Sequence, residues 1–219
     1  MTINELTAIE VNPTGEANAC VIWLHGLGAS GHDFEPVVPA LNLPAHLAVR
    51  FVFPHAPEQA VTINGGMVMR AWYDIIDQSL DRKIDLSGIE QSVKLTNQLI
   101  LREIDNGFDP SRIILAGFSQ GGVIALEAGL RFKSKLAGVI ALSTYLADEK
   151  HVPVGNTPIF MGHGTYDPIV PMVLGKKACD LLSNNGHAVE WHDYPMDHSV
   201  CIEEIIEIGQ WMTLRLSIN

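Results

Sequence analysis

The sequence predicts an α/β fold in which helices cover both faces of a mostly parallel central sheet. Five continuous apolar runs predict strands buried on both faces, because strands with one exposed face would alternate apolar and polar residues. Segments with helical apolar spacing separate these runs, and this alternation favours right-handed crossover connections. The five runs are residues 20–24, 49–53, 112–116, 136–142 and 158–161.

Length and composition predict a single domain over residues 1–219. A chain of 219 residues that is 47% hydrophobic and 18% charged has enough apolar material for one core. We find no repeat, low-complexity tract or linker in it. Residues 54–82 lack a regular pattern and are predicted to form an insertion loop, a short lid over one end of the sheet.

Capping and stop signals predict the helices between the strands. Ser87 and Glu90 match a capping box at the start of one helix, and Gly107 matches a stop signal at its end. The other predicted elements are a helix over 172–185 between Pro171 and Gly186, a final helix over 200–214 and an edge strand over 188–194. In such sheets, ligands bind at the carboxyl ends of the strands.

The segment Gly117-Phe-Ser-Gln-Gly121 is a G-x-S-x-G motif between a predicted buried strand and a helical pattern. A sharp strand-to-helix turn of this kind exposes its serine above the sheet. The following helix offers backbone N–H groups and the positive end of its dipole to a developing oxyanion. We therefore expect Ser119 to be a nucleophile, the alternative being a glycine-rich turn with an idle serine.

Two residues that follow later strands complete the expected site. Asp167 lies after the run 158–161, and His198 lies after the predicted edge strand, so both belong to the carboxyl edge of the sheet. The order nucleophile, acid, histidine is the order that this motif requires. Ser119, Asp167 and His198 are therefore the predicted catalytic triad. The rival acids are Asp193 and Asp197, and the rival histidines are His163, His187 and His192.

The segment His25-Gly-Leu-Gly28 directly follows the first apolar run. A loop in this position supplies a second oxyanion donor to a G-x-S-x-G site. The Leu27 and Gln120 N–H groups are therefore the predicted oxyanion hole, the alternative being an ordinary glycine turn. His25 is expected to brace the loop and not to act as a base or a metal ligand.

Seven ordered motifs, which extend over nearly the whole chain, resemble those of the acyl-protein thioesterase and carboxylesterase family of small α/β-hydrolases. The resemblance implies Ser119, Asp167 and His198 as the triad, Leu27 and Gln120 as oxyanion donors, no cofactor, a short lid and frequent homodimers. Eukaryotic thioesterase members usually carry an acidic residue where this chain has Ala29-Ser30. The motifs lie in residues 21–28, 50–56, 69–74, 109–113, 115–122, 163–167 and 197–198.

Apolar residues in the insertion are candidates for an acyl groove. Methionine and tryptophan suit a pliable apolar wall, although the same residues could simply belong to the core. The predicted substrate-binding residues are Met67, Met69, Trp72, Ile75 and Leu146, together with Leu27. The expected substrate is accordingly a small-molecule or lipid ester or thioester with a medium to long acyl chain.

Charge and residue usage exclude several other function classes. The formal net charge of −11 opposes nucleic acid and anionic membranes, and no run approaches the roughly 20 apolar residues of a membrane span. Residues 1–10 lack a secretory signal pattern, and three scattered cysteines without a CxxC pair fit a reducing cytoplasm. There is no HExxH pattern or other metal-site spacing, so no metal is expected.

Two alternatives to a medium- or long-chain esterase or thioesterase stay open at this point. The same fold could cleave lysophospholipids, lactones or xenobiotic esters, because the motifs determine acyl chemistry and not the leaving group. The second alternative belongs to another class of protein, a receptor that binds an acyl ligand without cleaving it. The three intact triad residues argue against such a receptor.

Overall fold

The computed structural model describes residues 6–77 and 83–217, in which a central sheet is flanked by helices. Its strands are β1 Ala8–Val11, β2 Ala19–Leu24, β3 Val49–Pro54, β4 Glu58–Val61, β5 Met67–Arg70, β6 Ile113–Phe118, β7 Gly138–Leu142, β8 Pro158–Gly164 and β9 Ala188–Tyr194. Its α-helices are α1 Leu86–Asp105, α2 Gln120–Arg131, α3 Met172–Asn184 and α4 Ile202–Ser217. Residues 31–33 and 35–41 form short 3₁₀ helices.

Within the described residues, the central sheet has seven strands in the order β1-β3-β2-β6-β7-β8-β9. All neighbours pair in parallel except β1, which is antiparallel to β3. The predicted mostly parallel α/β fold is therefore confirmed, and β9 lies at an edge as its mixed sequence indicates. The strand β1 was not predicted, because it has four residues of which none is fully buried.

Both faces of the sheet are buried, as the continuous apolar runs predict. All six residues of β2 are fully buried, and successive side chains belong to two different cores. Cys20, Ile22 and Leu24 pack with residues of α1, α2 and α3, whereas Val21 and Trp23 pack with residues of α4 and the 3₁₀ segment 35–41. Burial raises the pKa of the Cys20 thiol, so this cysteine is a packing residue.

The helix α1 has a different N-cap residue from the one that the sequence predicts. Its N-cap is Asp85, whose carboxylate accepts a hydrogen bond of 2.9 Å from the Gly88 N–H, so the predicted capping box at Ser87 is wrong. An ionised acceptor makes a stronger cap than a hydroxyl, and it adds charge at the positive helix end. Gly107 follows the helix with φ of +104°, the left-handed conformation expected of a stop residue.

The insertion is more regular than its sequence indicates. The strands β4 and β5 form an antiparallel hairpin, and an isolated bridge pairs Ile75 with Ile84. Residues 78–82 of the predicted insertion lie outside the described residues. The hairpin contacts the loop after β2, because the Gly28 N–H donates to the Arg70 carbonyl over 2.8 Å. A lid role for the insertion stays a prediction.

Candidate active site

Ser119 occupies a strained turn between β6 and α2. Its φ of 55° and ψ of −118° lie in a region that non-glycine residues rarely adopt. A Cβ on Gly117 would collide with the Gly121 carbonyl, and a Cβ on Gly121 would collide with the Leu24 carbonyl. Glycine at both flanking positions therefore allows the tight turn that presents Ser119 at the carboxyl edge of the sheet.

The three residues predicted as a triad form one hydrogen-bonded chain. His198 Nε2 lies 2.8 Å from Ser119 Oγ, and His198 Nδ1 lies 2.7 Å from Asp167 Oδ2. Strand register explains how two loops meet, since Gly164 at the end of β8 pairs with Tyr194 at the end of β9. The imidazole can therefore receive a proton from Ser119 while its other nitrogen donates to a carboxylate.

Asp167 is buried, yet its environment favours the ionised form. Burial alone would raise the pKa of this carboxyl, and it is the largest single influence. The hydrogen bond from His198 and those from the Ile169 and Val170 N–H groups together outweigh burial and hold the pKa below its usual value. Asp167 is thus a fixed carboxylate that orients the His198 ring.

Two of the rival residues, Asp193 and His192, have partners outside the triad. Asp193 accepts from the Trp191 indole N–H at 3.1 Å, and His192 Nδ1 lies 2.8 Å from Glu207. His163 is nearer the site than expected, because its Nε2 lies 3.6 Å from Asp167 Oδ2 and 2.8 Å from the Val170 carbonyl. Burial lowers the pKa of His163 and favours its neutral form. It supports the Asp167 loop, a contact that chain order alone did not reveal.

Gln120 and Leu27 carry the two predicted oxyanion donors. Gln120 is the first residue of α2, and its side-chain amide accepts from the Trp72 N–H at 2.8 Å and donates to the Tyr73 carbonyl at 2.6 Å. Leu27 lines the same cavity as Ser119. Among the described residues, neither backbone N–H donates to another backbone group outside the helices and strands, as expected of a loop and of the first residue of a helix.

His25 braces the loop that contains Leu27. Its Nε2 accepts from the Ala56 N–H at 3.0 Å, and its Nδ1 donates to the Gly26 carbonyl at 2.7 Å. Burial lowers the pKa of His25, which keeps the ring neutral and compatible with one donor and one acceptor. The Trp72 indole N–H donates to the His25 carbonyl at 2.9 Å and ties the loop to the insertion.

A cavity of about 550 Å³ opens beside Ser119 and His198. Of the residues predicted to bind substrate, Leu27 and Ile75 line this cavity. Met67 is exposed on the hairpin, and Trp72 is only 1% exposed in the core, so neither lines it. Met69 is also outside its lining, and Leu146 lines a second cavity of about 610 Å³.

The described residues contain no cluster of three or more histidine, cysteine or acidic side chains placed to hold a metal ion. Among the same residues, no helix has both the length and the apolar character needed to cross a membrane.

Comparisons with known proteins agree with the fold and the motifs. The profile of the phospholipase/carboxylesterase family matches residues 5–215. Acyl-protein thioesterase 1 of Neurospora crassa is 44% identical over 213 residues, which are 90% of this chain and 87% of that protein. Its counterpart in Gibberella zeae is 38% identical and covers 99% of this chain and 98% of its own length.

A solved structure extends the likeness to three dimensions. SOBER1 of Arabidopsis thaliana superposes with a TM-score of 0.85 at 32% identity, covering 91% of this chain and 100% of that one. Acyl-protein thioesterase 2 of Zea mays superposes with a TM-score of 0.80 at 26% identity, covering 96% and 99%. The resemblance inferred from the seven motifs is confirmed, and the chain belongs to the phospholipase/carboxylesterase family of α/β-hydrolases, which are serine hydrolases.

Proposed function

We propose that this protein hydrolyses carboxylic esters or acyl thioesters with medium to long acyl chains through a covalent acyl-enzyme. The observation that carries the proposal is the hydrogen-bonded chain from Asp167 through His198 to Ser119, with distances of 2.7 and 2.8 Å, at the wall of an open cavity. The named relatives support it, because they are acyl-protein thioesterases.

In the proposed mechanism, Ser119 Oγ attacks the acyl carbonyl carbon while neutral His198 accepts the hydroxyl proton at Nε2. The tetrahedral intermediate then collapses, the bond to the leaving oxygen or sulfur breaks, and His198 returns its proton to that atom. Water attacks the acyl-enzyme with the same proton transfers, which releases the acid and restores Ser119. Asp167 stays ionised throughout and stabilises the imidazolium form of His198.

The N–H groups of Leu27 and Gln120 would bind the negative oxygen of each tetrahedral intermediate. Both lie at the site, neither donates to another backbone group outside the helices and strands of the described residues, and Gln120 also begins α2, where the helix dipole favours negative charge. Loss of one such donor typically raises the barrier by about 3 kcal/mol. This contribution depends on the fixed positions of both amides.

The acyl chain is proposed to extend along Ile75. That residue lines the cavity beside Ser119, whereas its bridge partner Ile84 lines the second cavity together with Leu146. The Ile75–Ile84 bridge therefore contributes one apolar residue to the wall of each cavity. A chain that passes this bridge would bury more methylene groups, each contributing about 0.8 kcal/mol.

The first test replaces the nucleophile. Ser119→Ala should lose fluorophosphonate labelling and reduce hydrolysis of nitrophenyl butanoate by about 10⁴-fold or more. Ser199→Ala is the matched control, because this serine lines the same cavity and follows His198 in the sequence but has no part in the hydrogen-bonded chain, so the variant should keep its labelling. Unchanged hydrolysis by the Ser119 variant would refute Ser119 as the nucleophile, whereas a wild-type protein that resists labelling would favour the non-catalytic receptor.

The second test addresses chain length. Leu146→Trp should fill the second cavity and lower kcat/KM for dodecanoyl relative to butanoyl esters by about tenfold, the effect of losing about two buried methylene groups. Leu214→Trp serves as the control, since this α4 residue is 53% exposed. An unchanged preference in the Leu146 variant would remove the second cavity from the acyl path.

A lysophospholipase, lactonase or xenobiotic esterase would use the same catalytic atoms, so activity measured across a panel of lysophospholipids, lactones and xenobiotic esters separates these candidates.

We also propose a cytoplasmic location, because Cys20, Cys179 and Cys201 are all free. A homodimer, which the family resemblance implies, is a prediction that sedimentation at several concentrations tests.

A further inference from the structure

One wall of the active-site cavity leads from His198 to a carboxylate. The His198 ring lies 4.8 Å from the Phe118 ring, and the Phe118 ring lies 5.8 Å from the Phe34 ring. Asp33 precedes Phe34 in the chain, and all four side chains line the cavity. Among the described lining residues, Asp33 is the one ionisable group besides His198.

The Asp33 carboxylate is held in place by its own turn. Its Oδ2 accepts hydrogen bonds from the Ser30 N–H at 2.7 Å and from the Ser30 hydroxyl at 3.0 Å, which closes a capping box. Both donors are neutral, so they position the charge without compensating it. A fixed negative charge therefore borders the cavity.

Nearby cationic groups are directed elsewhere. Arg70 donates to the Ala56 carbonyl at 3.2 Å and does not line the cavity. His32, next to Asp33 in sequence, lies 3.0 Å from Glu35 and is also absent from the cavity wall. The charge that a bound molecule meets on this wall is therefore negative.

The leaving group must lie on the same wall. In the proposed mechanism His198 returns its proton to the departing oxygen or sulfur, so that atom lies beside the His198 ring and hence beside Phe118. The aromatic faces of Phe118 and Phe34, followed by a carboxylate, form a surface that attracts cations and repels anions. The acyl side, by contrast, is proposed to follow Ile75.

We propose that Asp33 is a specificity-determining residue that favours esters and thioesters whose leaving group carries a positive charge over those whose leaving group carries a negative charge. This inference rests on the proposed hydrolase function and deepens it by naming the substrate class. Asp33 does not take part in bond breaking, so its effect falls mainly on KM and on kcat/KM.

Three hexanoyl thioesters that differ in the leaving thiol test the inference: thiocholine (cationic), mercaptoethanol (neutral) and 3-mercaptopropionate (anionic). The measured quantity is the ratio of kcat/KM for the cationic ester to that for the anionic ester. Asp33→Asn removes the charge and keeps an oxygen that can accept from Ser30. Asp33→Asn should lower this ratio by about threefold to tenfold, because the solvent-screened Asp33 charge attracts the cationic leaving group and repels the anionic one.

Two control variants and a measurement at high salt test whether the change in the ratio comes from the charge of Asp33. Asp105→Asn changes the net charge equally at the far end of α1, outside the cavity, and should leave the ratio unchanged. Ser30→Ala removes the hydroxyl donor but keeps the shorter backbone N–H bond to Asp33 and the charge itself, so it should also leave the ratio unchanged. For the wild type, 0.5 M salt should shrink the ratio toward that of Asp33→Asn.

Both substrates are measured on the same protein, so a smaller folded fraction lowers both kcat/KM values equally and leaves their ratio unchanged. A difference in reactivity between the two thiols is the same for every variant and cancels when variants are compared. A ratio in Asp33→Asn within about 1.5-fold of the wild type would overturn the inference, as would an equal drop in Ser30→Ala. If the wild type cleaves none of the three thioesters, including the neutral one, the proposed hydrolase function fails instead.

Discussion

Glu204 is a buried carboxyl whose surroundings predict a measurable pH effect on folding. This α4 residue is 0% exposed, and neither of its carboxyl oxygens has a hydrogen-bond partner among the described residues. The carboxyl lies against Gly162 of β8, where a Cβ would collide with it. Burial, and secondarily the nearby charge of Glu207, raises the pKa of Glu204 to about 8.

The direction of the effect follows from proton binding. The ordinary pKa is 4.5, so between pH 4.5 and about 8 the folded protein keeps a proton that the unfolded chain releases. The contribution of Glu204 to stability is therefore fully present below pH 4.5 and is lost as pH rises through about 8. Each pH unit in this window corresponds to about 1.4 kcal/mol.

Glu204→Gln removes the titrating proton and keeps the side-chain shape. Between pH 6.0 and pH 7.5, its free energy of unfolding relative to the wild type should rise by about 2 kcal/mol. Urea unfolding at both pH values measures this difference, and other titrating groups cancel because both proteins contain them. Glu203→Gln, at an exposed neighbouring position, should show no such rise. A rise below about 0.5 kcal/mol would refute the reasoning, since Glu204 would then be solvated or paired in the folded protein.

Three further substitutions test contacts around the site and in the core. Trp72→Phe removes the donor to the buried His25 carbonyl, and urea unfolding should show a loss of about 1–3 kcal/mol together with a lower kcat. Glu103→Ala removes the buried partner of Arg50 and Arg102, which both keep Glu10, and should cost about 1–3 kcal/mol in the same assay. Gly121→Ala forces a Cβ against the Leu24 and His25 carbonyls, so we expect a shifted Ser119, a loss of about 100-fold or more in kcat/KM and a lower melting temperature. An unchanged free energy of unfolding in Trp72→Phe or in Glu103→Ala, or an unchanged kcat/KM in Gly121→Ala, would contradict the contact on which that prediction rests.

The parts of the fold that the sequence predicted are those with a local signal. Buried strands such as β2 appear as uninterrupted apolar runs, and the Ser119 turn carries its own glycines. The positions of Asp167 and His198 followed from strand order, because parallel strands end at one edge of the sheet. The hydrogen-bonded chain of these three residues agrees with that reasoning.

Features without a local signal were missed or assigned differently. The hairpin β4–β5 consists of two four-residue strands, too short for a periodic pattern. Asp85 and Ser87 are both residue types that favour an N-cap, and only the geometry of the chain shows that the helix begins after Asp85. Glu204 acquires its role from its contact with Gly162 of β8, and Asp33 from a cavity wall that it shares with Phe118 and His198, and residue spacing contains neither relation.

The last hairpin residue, Arg70, and the nearby Trp72 contact both sides of the predicted oxyanion hole. The Arg70 carbonyl accepts from the Gly28 N–H at 2.8 Å, and the Trp72 indole N–H donates to the His25 carbonyl at 2.9 Å, so two hydrogen bonds hold the loop that contains Leu27. The Trp72 N–H also donates to the Gln120 side chain at 2.8 Å. Trp72 is therefore a core residue that links the loop at His25 to the side chain of Gln120, and it does not line the cavity beside Ser119. Movement of the insertion would shift the predicted donors together, which couples any lid motion directly to the stabilisation of the intermediate.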